Sequence, residues 1–393
     1  MRLRVRTAIC TAVCAATLPF VAACGSSHPQ TTVATADDLV VYSALPVHGP
    51  QAPRAQDVLD GERLALLEAD GRAGDFRVQL RPLDDSDPEA DPDELGWKPE
   101  PTLKAAKTAV EDPGTIAYVG DFDAGATALA LPATNAKDLL QVSPAATYGG
   151  FTGGPGSAPG EPDKYQPSGK ATFGRIAAPD GDQSTAIADA LTTAGCTRLA
   201  ILRDTDGFDD SLARLIERAA TKRGLHVAID EQVRDEDDQA QEKMAEKVAE
   251  AGAECATIIA DPGDRPAALI RALHAADPQL EIVLPMGLAD NTVASAIGGA
   301  AAVTTFVGPP PPSTRFTAAF RERFGRVPGP WAQYGYDAMR RVLRAIALAG
   351  PRGNDRRAVV SAYLGQTSPR PRLALWDAGP DGLVLRRELP ASE

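Results

Sequence analysis

The chain has 393 residues, of which 44% are hydrophobic and 24% charged, the composition of an ordinary globular protein long enough for two or three domains. Its formal net charge is −13 and it has no block of lysines or arginines, so the phosphate attraction that drives nucleic-acid binding is missing. The four histidines form neither a His-x-x-x-His pair nor a Cys–His cluster, so we expect no metal site.

The N-terminus carries an export signal. Three arginines precede an uncharged run over residues 7–20, which is too short to span a membrane as a helix. Residues 21–25 (VAACG) follow and resemble the lipobox of bacterial lipoproteins, whose cysteine is lipidated and begins the mature chain. We therefore expect a signal peptide over residues 1–23, a lipid on Cys24 and a flexible tether over residues 24–37. An ordinary secretory signal is the alternative.

Strand and helix patterns alternate along the rest of the chain. Short apolar or β-branched runs predict strands at residues 39–42, 78–80, 116–119, 139–142, 199–202, 227–229, 256–259, 282–284 and 304–307. Amphipathic segments between them predict helices, most clearly at residues 212–219 and 336–346. Because parallel strands need long crossovers, this alternation predicts an α/β protein of parallel sheets with helices on both faces.

Two segments rich in glycine or proline divide the predicted elements. Residues 149–170 cannot continue a sheet, so we place a first crossover between two doubly wound lobes there. A proline cluster at residues 309–312 follows the last predicted strand and precedes helical sequence. This position indicates that the chain returns to the first lobe.

Six segments, by their order and spacing, carry a resemblance to a known family; they are residues 40–52 (VVYSALPVHGPQA), 84–88 (DDSDP), 117–127 (AYVGDFDAGAT), 140–147 (LQVSPAAT), 160–176 (GEPDKYQPSGKATFGRI) and 332–338 (AQYGYDA). The chain resembles type I periplasmic solute-binding proteins, in particular the leucine/isoleucine/valine-binding branch that serves ABC importers. The resemblance implies two lobes, joined by three crossovers, that close on a small ligand. It implies an N-terminal lobe of residues 38–172 and 309–366, and a C-terminal lobe of residues 173–308 and 367–393.

Ligands of open α/β sheets bind beyond the carboxyl ends of the strands. The candidate contacts of the first lobe are Val47, His48, Ala124, Gly125, Ala126, Ala145 and Thr147. Residues 124–126 are placed to open a helix whose free N–H groups hold a carboxylate. The resemblance implies that Ala145 and Thr147 match positions that contact the carboxylate of bound amino acids. The alternative is that these residues only make turns and helix caps.

Several positions depart from the amino-acid-binding relatives. A ligand-binding serine is replaced by Ala124, a tyrosine of the second lobe by Phe208, a second tyrosine by Pro262, and the glutamate that pairs with the ligand ammonium by a residue near Gly287. Asp261 and Asp290 lie close by in the sequence and are candidates to replace that glutamate. The alternative is that both are solvated loop residues.

The two cysteines that remain in the mature fold are Cys196 and Cys255. Each immediately precedes a predicted strand, and the compartment implied by export is oxidising. We therefore expect a disulfide between them.

These features together predict a lipid-anchored receptor on the outer face of the cytoplasmic membrane. It would close on a small polar metabolite, amino-acid-like or a carboxylate, and deliver it to the permease of an ABC importer. A sensory or accessory lipoprotein with a changed ligand site is the alternative. The motifs of hydrolases and nucleotide-binding enzymes are absent from the sequence, so we expect neither an enzyme nor a cofactor.

We predict that Cys24→Ala releases the protein from membranes, because stable anchoring depends on acyl chains. The measurement is fractionation of cells expressing the variant or the wild type, with a salt wash. A variant that still sediments with membranes after the wash would refute the lipobox interpretation.

Overall fold

A computed structural model describes residues 32–35, 38–87, 96–204, 207–233, 238–367, 371–380 and 382–390. The predicted signal peptide, Cys24 and most of the predicted tether lie outside the described residues. No helix of the described ranges is long and apolar enough to cross a membrane.

The first sheet has six strands in the order β2-β3-β1-β4-β5-β6. Their bounds are β1 Leu39–Leu45, β2 Arg72–Ala73, β3 Phe76–Asp84, β4 Thr115–Val119, β5 Leu140–Ser143 and β6 Phe173–Arg175. The pairs from β3 to β6 are parallel, and the short β2 is antiparallel to β3. The central strands are buried along their length because helices cover both faces of the sheet.

The second sheet has seven strands in the order β13-β12-β11-β10-β9-β7-β8. Their bounds are β7 Arg198–Arg203, β8 His226–Gln232, β9 Cys255–Ile259, β10 Glu281–Leu284, β11 Thr304–Gly308, β12 Ala374–Gly379 and β13 Gly382–Glu388. The strands from β7 to β11 pair in parallel, whereas β12 and β13 form an antiparallel hairpin at one edge.

Eleven α-helices lie within the described ranges, with bounds α1 Ala52–Glu68, α2 Pro99–Glu111, α3 Ala124–Asn135, α4 Asp180–Thr193, α5 Gly207–Lys222, α6 Asp238–Glu250, α7 Asp264–Ala276, α8 Asn291–Ala296, α9 Thr314–Phe324, α10 Ala332–Leu348 and α11 Arg356–Leu364. Helices α1 to α3 and α9 to α11 pack on or beside the first sheet, and α4 to α8 on the second. We call these two assemblies the first and second lobes.

The architecture agrees with the predicted two-lobe α/β fold. It differs from the prediction in that each sheet also has antiparallel strands at one edge, β2 in the first sheet and β12 and β13 in the second. Each of the nine apolar runs contributes to a strand, and both amphipathic segments form helices, α5 and α10. The sequence analysis missed β2, β6, β12 and β13. Strand β6 pairs with β5, so the first sheet ends at Arg175, beyond the boundary expected at residue 172. The prediction of a crossover at residues 149–170 is therefore wrong: this segment connects two strands of the first sheet, and the chain passes to the second lobe after Arg175.

Part of the predicted tether is bonded to the first lobe. The N–H of Ala34 donates to the carbonyl of Asn354 (2.7 Å), and the N–H of Thr35 donates to that of Pro113 (3.1 Å). The hydroxyl of Thr32 donates to the Asp355 carboxylate at 3.0 Å. Residues 32–35 therefore form a strap, which belongs to the folded body.

The two cysteines of the described body form a disulfide. Cys196 lies two residues before β7 and Cys255 begins the neighbouring strand β9, and their Cα atoms are 6.1 Å apart. The bond joins the entry ends of two adjacent parallel strands of the second sheet.

Helices α1 and α10 approach closely because each has a glycine at the contact. A Cβ added at Gly335 would lie 2.0 Å from the carbonyl oxygen of Val58, and one added at Gly61 would lie 2.0 Å from that of Ala332. Both obstacles are backbone atoms, so relief requires that the helices separate.

We therefore predict that Gly335→Ala lowers the free energy of unfolding by about 1 to 3 kcal/mol, the usual cost of overpacking. Denaturant titration followed by circular dichroism measures it. Gly207→Ala is the matched control, because a Cβ at that helix position meets no atom within 4 Å. Equal stability of the two variants would contradict the close approach.

Candidate ligand-binding cleft

One arginine connects the two lobes between the carboxyl ends of their strands. Arg54 lies in the first turn of α1 in the first lobe. Its Nε donates to Oδ2 of Asp290 at 2.7 Å, and its Nη1 donates to the carbonyl oxygen of Gly287 at 2.8 Å. Both partners belong to the loop that follows β10 in the second lobe. The region between the lobes, where ligands of such sheets bind, is therefore bridged by a buried ion pair.

Asp290 has a structural task besides this ion pair. Its Oδ1 accepts the N–H of Thr292 at 2.7 Å and so caps α8. Burial acts to raise the pKa of the Asp290 carboxyl, but the charge and hydrogen bond of Arg54, together with the hydrogen bonds of Thr292, outweigh it and hold the pKa below its usual value. The aspartate considered for a ligand ammonium is thus ionised and already paired with a cation of the protein.

In the loop after β5, backbone N–H groups donate to a side chain of the same loop. The N–H groups of Ala145 and Ala146 point to Oγ of Ser143 at 3.3 and 2.9 Å. The carbonyl oxygen of Thr147 accepts from the N–H of Asp180 at 3.0 Å and from Nη1 of Arg175 at 2.7 Å. The N–H of Ala145 and the carbonyl oxygen of Thr147, two predicted contacts, therefore already have protein partners.

The start of α3 is covered by an aromatic ring. A Cβ added at Gly125 would lie 2.3 Å from the indole of Trp97, so only glycine permits this contact. Ala124 is half-buried and Ala126 is fully buried beside it. Gln51 donates from Nε2 to Oδ1 of Asp123 at 2.8 Å and closes the same corner. The structure thus brings residues 124–126 to the cleft under a protein side chain.

Val47 and His48 lie in the loop after β1. Val47 is half-buried and His48 is exposed. The Nδ1 of His48 lies 2.9 Å from Oδ2 of Asp84 and 3.2 Å from Oγ of Ser86. The histidine therefore joins the loop after β1 to the loop after β3.

Phe208 joins an aromatic cluster that spans the lobes. Its ring, in the first turn of α5, lies 5.0 Å edge-on from the ring of Tyr148 and 6.3 Å from that of Phe151, in the segment between β5 and β6 of the first lobe. The hydroxyl of Tyr148 donates to Glu161 at 2.6 Å. These aromatic contacts pack the second lobe against the segment between β5 and β6.

Asp261, the other aspartate considered, is half-buried just beyond β9.

Two buried carboxyls lie behind the cleft loops of the first lobe. Asp85 follows β3 and Asp121 follows β4, and both side chains are fully buried. Neither oxygen of Asp85 has a hydrogen-bond partner among the described residues, whereas Asp121 accepts from the hydroxyl of Tyr118 at 2.6 Å. Burial raises the pKa of both carboxyls, and the negative charges of Asp121 and Asp123 raise that of Asp85 further. This region therefore carries less negative charge than its aspartates imply.

Arg54 is the principal residue of the cleft that the sequence analysis missed. It stands two residues beyond the quoted segment 40–52, within a predicted α/β body, and its partners are more than 230 positions away. No pattern in the residues around Arg54 predicts that pairing.

Comparison with known proteins decides the family. The sequence profile described as periplasmic binding protein matches residues 44–374. The chain belongs to the periplasmic binding protein family. Comparison with curated protein sequences gives no match.

Solved structures of other periplasmic binding proteins have the same fold. A leucine-binding protein from Thermotoga maritima is 17% identical, with a TM-score of 0.72 over 89% of this chain and 98% of that one. An ABC-transporter solute-binding protein from Rhodopseudomonas palustris BisB5, in complex with 3,4-dihydroxybenzoic acid, is 15% identical, with a TM-score of 0.73 over 91% and 99%. A solute-binding protein from R. palustris in complex with benzoate is 16% identical, with a TM-score of 0.72 over 90% and 97%. These likenesses confirm the type I periplasmic-binding fold.

We predict that Asp85→Asn stabilises this periplasmic binding protein at pH 8 and has little effect near pH 4. The raised pKa means that folded Asp85 keeps its proton while the unfolded carboxyl ionises above about pH 4. Wild-type stability is therefore lost as the pH rises, and the asparagine variant lacks this loss.

Urea titrations of both proteins at the two pH values measure the difference. Asp75→Asn, at an exposed turn between β2 and β3, controls for the change in net charge. An equal gain at both pH values would show that Asp85 does not hold a proton in the fold.

Proposed function

We propose that this periplasmic binding protein is a lipid-anchored solute receptor outside the cytoplasmic membrane. It closes on a small polar metabolite that carries a carboxylate and delivers it to an ABC importer, without catalysing a reaction. Members of the family bind small molecules and work with ABC transporters. The N-terminal charge pattern and the VAACG segment support the anchor.

The cleft supports an acid without an ammonium group as the solute. An ammonium needs an anionic or acceptor-rich partner when it is buried. The position near the relatives' glutamate is Gly287, whose carbonyl oxygen accepts from Arg54, and Asp290 is paired with the same guanidinium. The single observation that carries the proposal is this arginine between the lobes, because it occupies the two acceptors that a ligand ammonium would need, the Gly287 carbonyl and the Asp290 carboxylate.

A sensory or accessory lipoprotein is the second candidate. The covering of Gly125 by Trp97 and the internal hydrogen bonds of the loop after β5 favour it, because both reduce the groups offered to a solute. Under this candidate, the aromatic and ionic contacts hold the lobes in a conformation that a partner protein binds, and no solute is transported.

We predict that leucine, isoleucine and valine do not raise the melting temperature of the purified full-length chain in detergent, whereas a small carboxylate such as benzoate or 3,4-dihydroxybenzoate does. A ligand at 100 times its dissociation constant stabilises a protein by about 2.7 kcal/mol. Mass spectrometry of the solutes released on denaturation is the second measurement, and it should show an acid without an amino group.

Submicromolar leucine binding by calorimetry, lost in Asp290→Ala but kept in Asp261→Ala, would refute the proposal that an ammonium is excluded. No thermal response to any acid, with no solute released from the native protein, would favour the accessory lipoprotein over the receptor.

A further inference from the structure

Arg54 is a buried charge with an incomplete set of hydrogen bonds. Its side chain is 5% exposed, and its Nε and Nη1 are bonded across the cleft. The other terminal nitrogen, Nη2, is buried and has no acceptor in the described part of the chain. A buried donor without a partner costs free energy, and a guanidinium presents its donors in a rigid planar fork. Nη2 therefore points to an acceptor that the protein itself does not supply.

The neighbouring tryptophan has the same property. The Cζ of Arg54 lies 5.7 Å from the ring centroid of Trp331. Trp331 is 3% exposed, and its indole Nε1 is a second buried donor that lacks an acceptor among the described residues. An indole N–H can only donate. Two adjacent side chains, one charged and one neutral, thus carry unpaired N–H groups between the lobes.

We infer that the Nη2 of Arg54, assisted by the indole N–H of Trp331, binds the carboxylate of the solute. The inference rests on the proposed function and names the group that selects its substrate. A carboxylate is acceptor-only and matches a guanidinium fork. Two donors expected for this task from the sequence, the N–H groups of Ala145 and Ala146, already point to Oγ of Ser143. The carboxylate is therefore recognised at α1 and not at the loop after β5.

Asp290 sets the strength of this recognition. Its carboxylate lies 2.7 Å from the Nε of Arg54 and neutralises one charge, so a bound carboxylate meets an ion pair instead of a free cation. The same pair fixes the plane of the guanidinium, so its unpaired edge is held in place before the solute arrives. An asparagine at this position keeps only one of the two acceptor oxygens and removes the compensating charge. The solute carboxylate then becomes the counterion of Arg54, so Asp290→Asn should tighten anion binding.

The experiment titrates the full-length chain in detergent with formate, acetate, benzoate and L-leucine. Tryptophan fluorescence reports on Trp331 together with Trp97 and Trp376, and calorimetry gives the affinities. Arg54→Gln should weaken benzoate binding roughly ten- to hundredfold, the worth of a hydrogen bond to a charged group. Arg54→Lys should recover part of this loss, because a lysine keeps the charge but not the fork. Leucine should bind none of the proteins.

Three further variants keep the test decisive. Arg77→Gln removes one positive charge from an exposed ion pair with Asp38 outside the cleft and should leave affinity unchanged. Asp290→Asn should strengthen benzoate binding severalfold. Trp331→Phe replaces the indole by a phenyl ring without an N–H donor, and it should weaken benzoate binding. These two variants carry the test if circular dichroism shows that Arg54→Gln is unfolded.

Two results would overturn the inference. One is a wild-type protein that responds to none of the three carboxylates. The other is benzoate binding that is the same in the wild type, Arg54→Gln and Asp290→Asn. In the second case the protein is still a receptor, but the carboxylate is recognised at another site. Failure of the receptor function itself is shown by a different measurement, the absence of any solute released from the native protein on denaturation.

Discussion

The contact of the Arg54 guanidinium with the second lobe is the interaction on which the cleft depends. Arg54 is in the first turn of α1, and Asp290 is the N-cap of α8. Removing one partner would leave a buried charge without compensation, which costs far more than the net worth of the pair. One ion pair and one hydrogen bond to a carbonyl therefore hold the first turn of α1 against the start of α8. They also fix the distance between the loops after β1 and β10.

The hydrogen bonds around the cleft support the proposal that the solute is not an amino acid. Where an amino-acid receptor offers N–H groups to a carboxylate, the N–H groups of Ala145 and Ala146 point to Ser143. Where a relative has a carboxylate for an ammonium, this chain has the Gly287 carbonyl, which is occupied by Arg54. In the described part of the chain, the buried donors without an acceptor beside this ion pair include Nη2 of Arg54, the indole N–H of Trp331 and the hydroxyl of its neighbour Tyr334.

The sequence revealed the central strands because they are buried on both faces and read as continuous apolar runs. The edge strands escaped for the opposite reason. Strand β13 is exposed along most of its length, and β6 has three residues after a segment rich in glycine and proline. The resemblance located the cleft loops, which follow the strands. Arg54 could not be found in the same way, because its pairing with Asp290 joins positions 236 residues apart and no periodicity records such a contact.

The strap at residues 32–35 relates the proposed anchor to the cleft. Thr35 is bonded to the carbonyl of Pro113, at the amino end of β4, whereas Asp121 and the start of α3 follow the carboxyl end of the same strand. The chain thus joins the body at the edge of the first sheet opposite the cleft loops, one strand length of roughly 16 Å away. Under the proposed function, the anchored side of the chain therefore joins the body away from the groups around Arg54, and the proposal assigns anchoring and ligand recognition to opposite edges of one sheet.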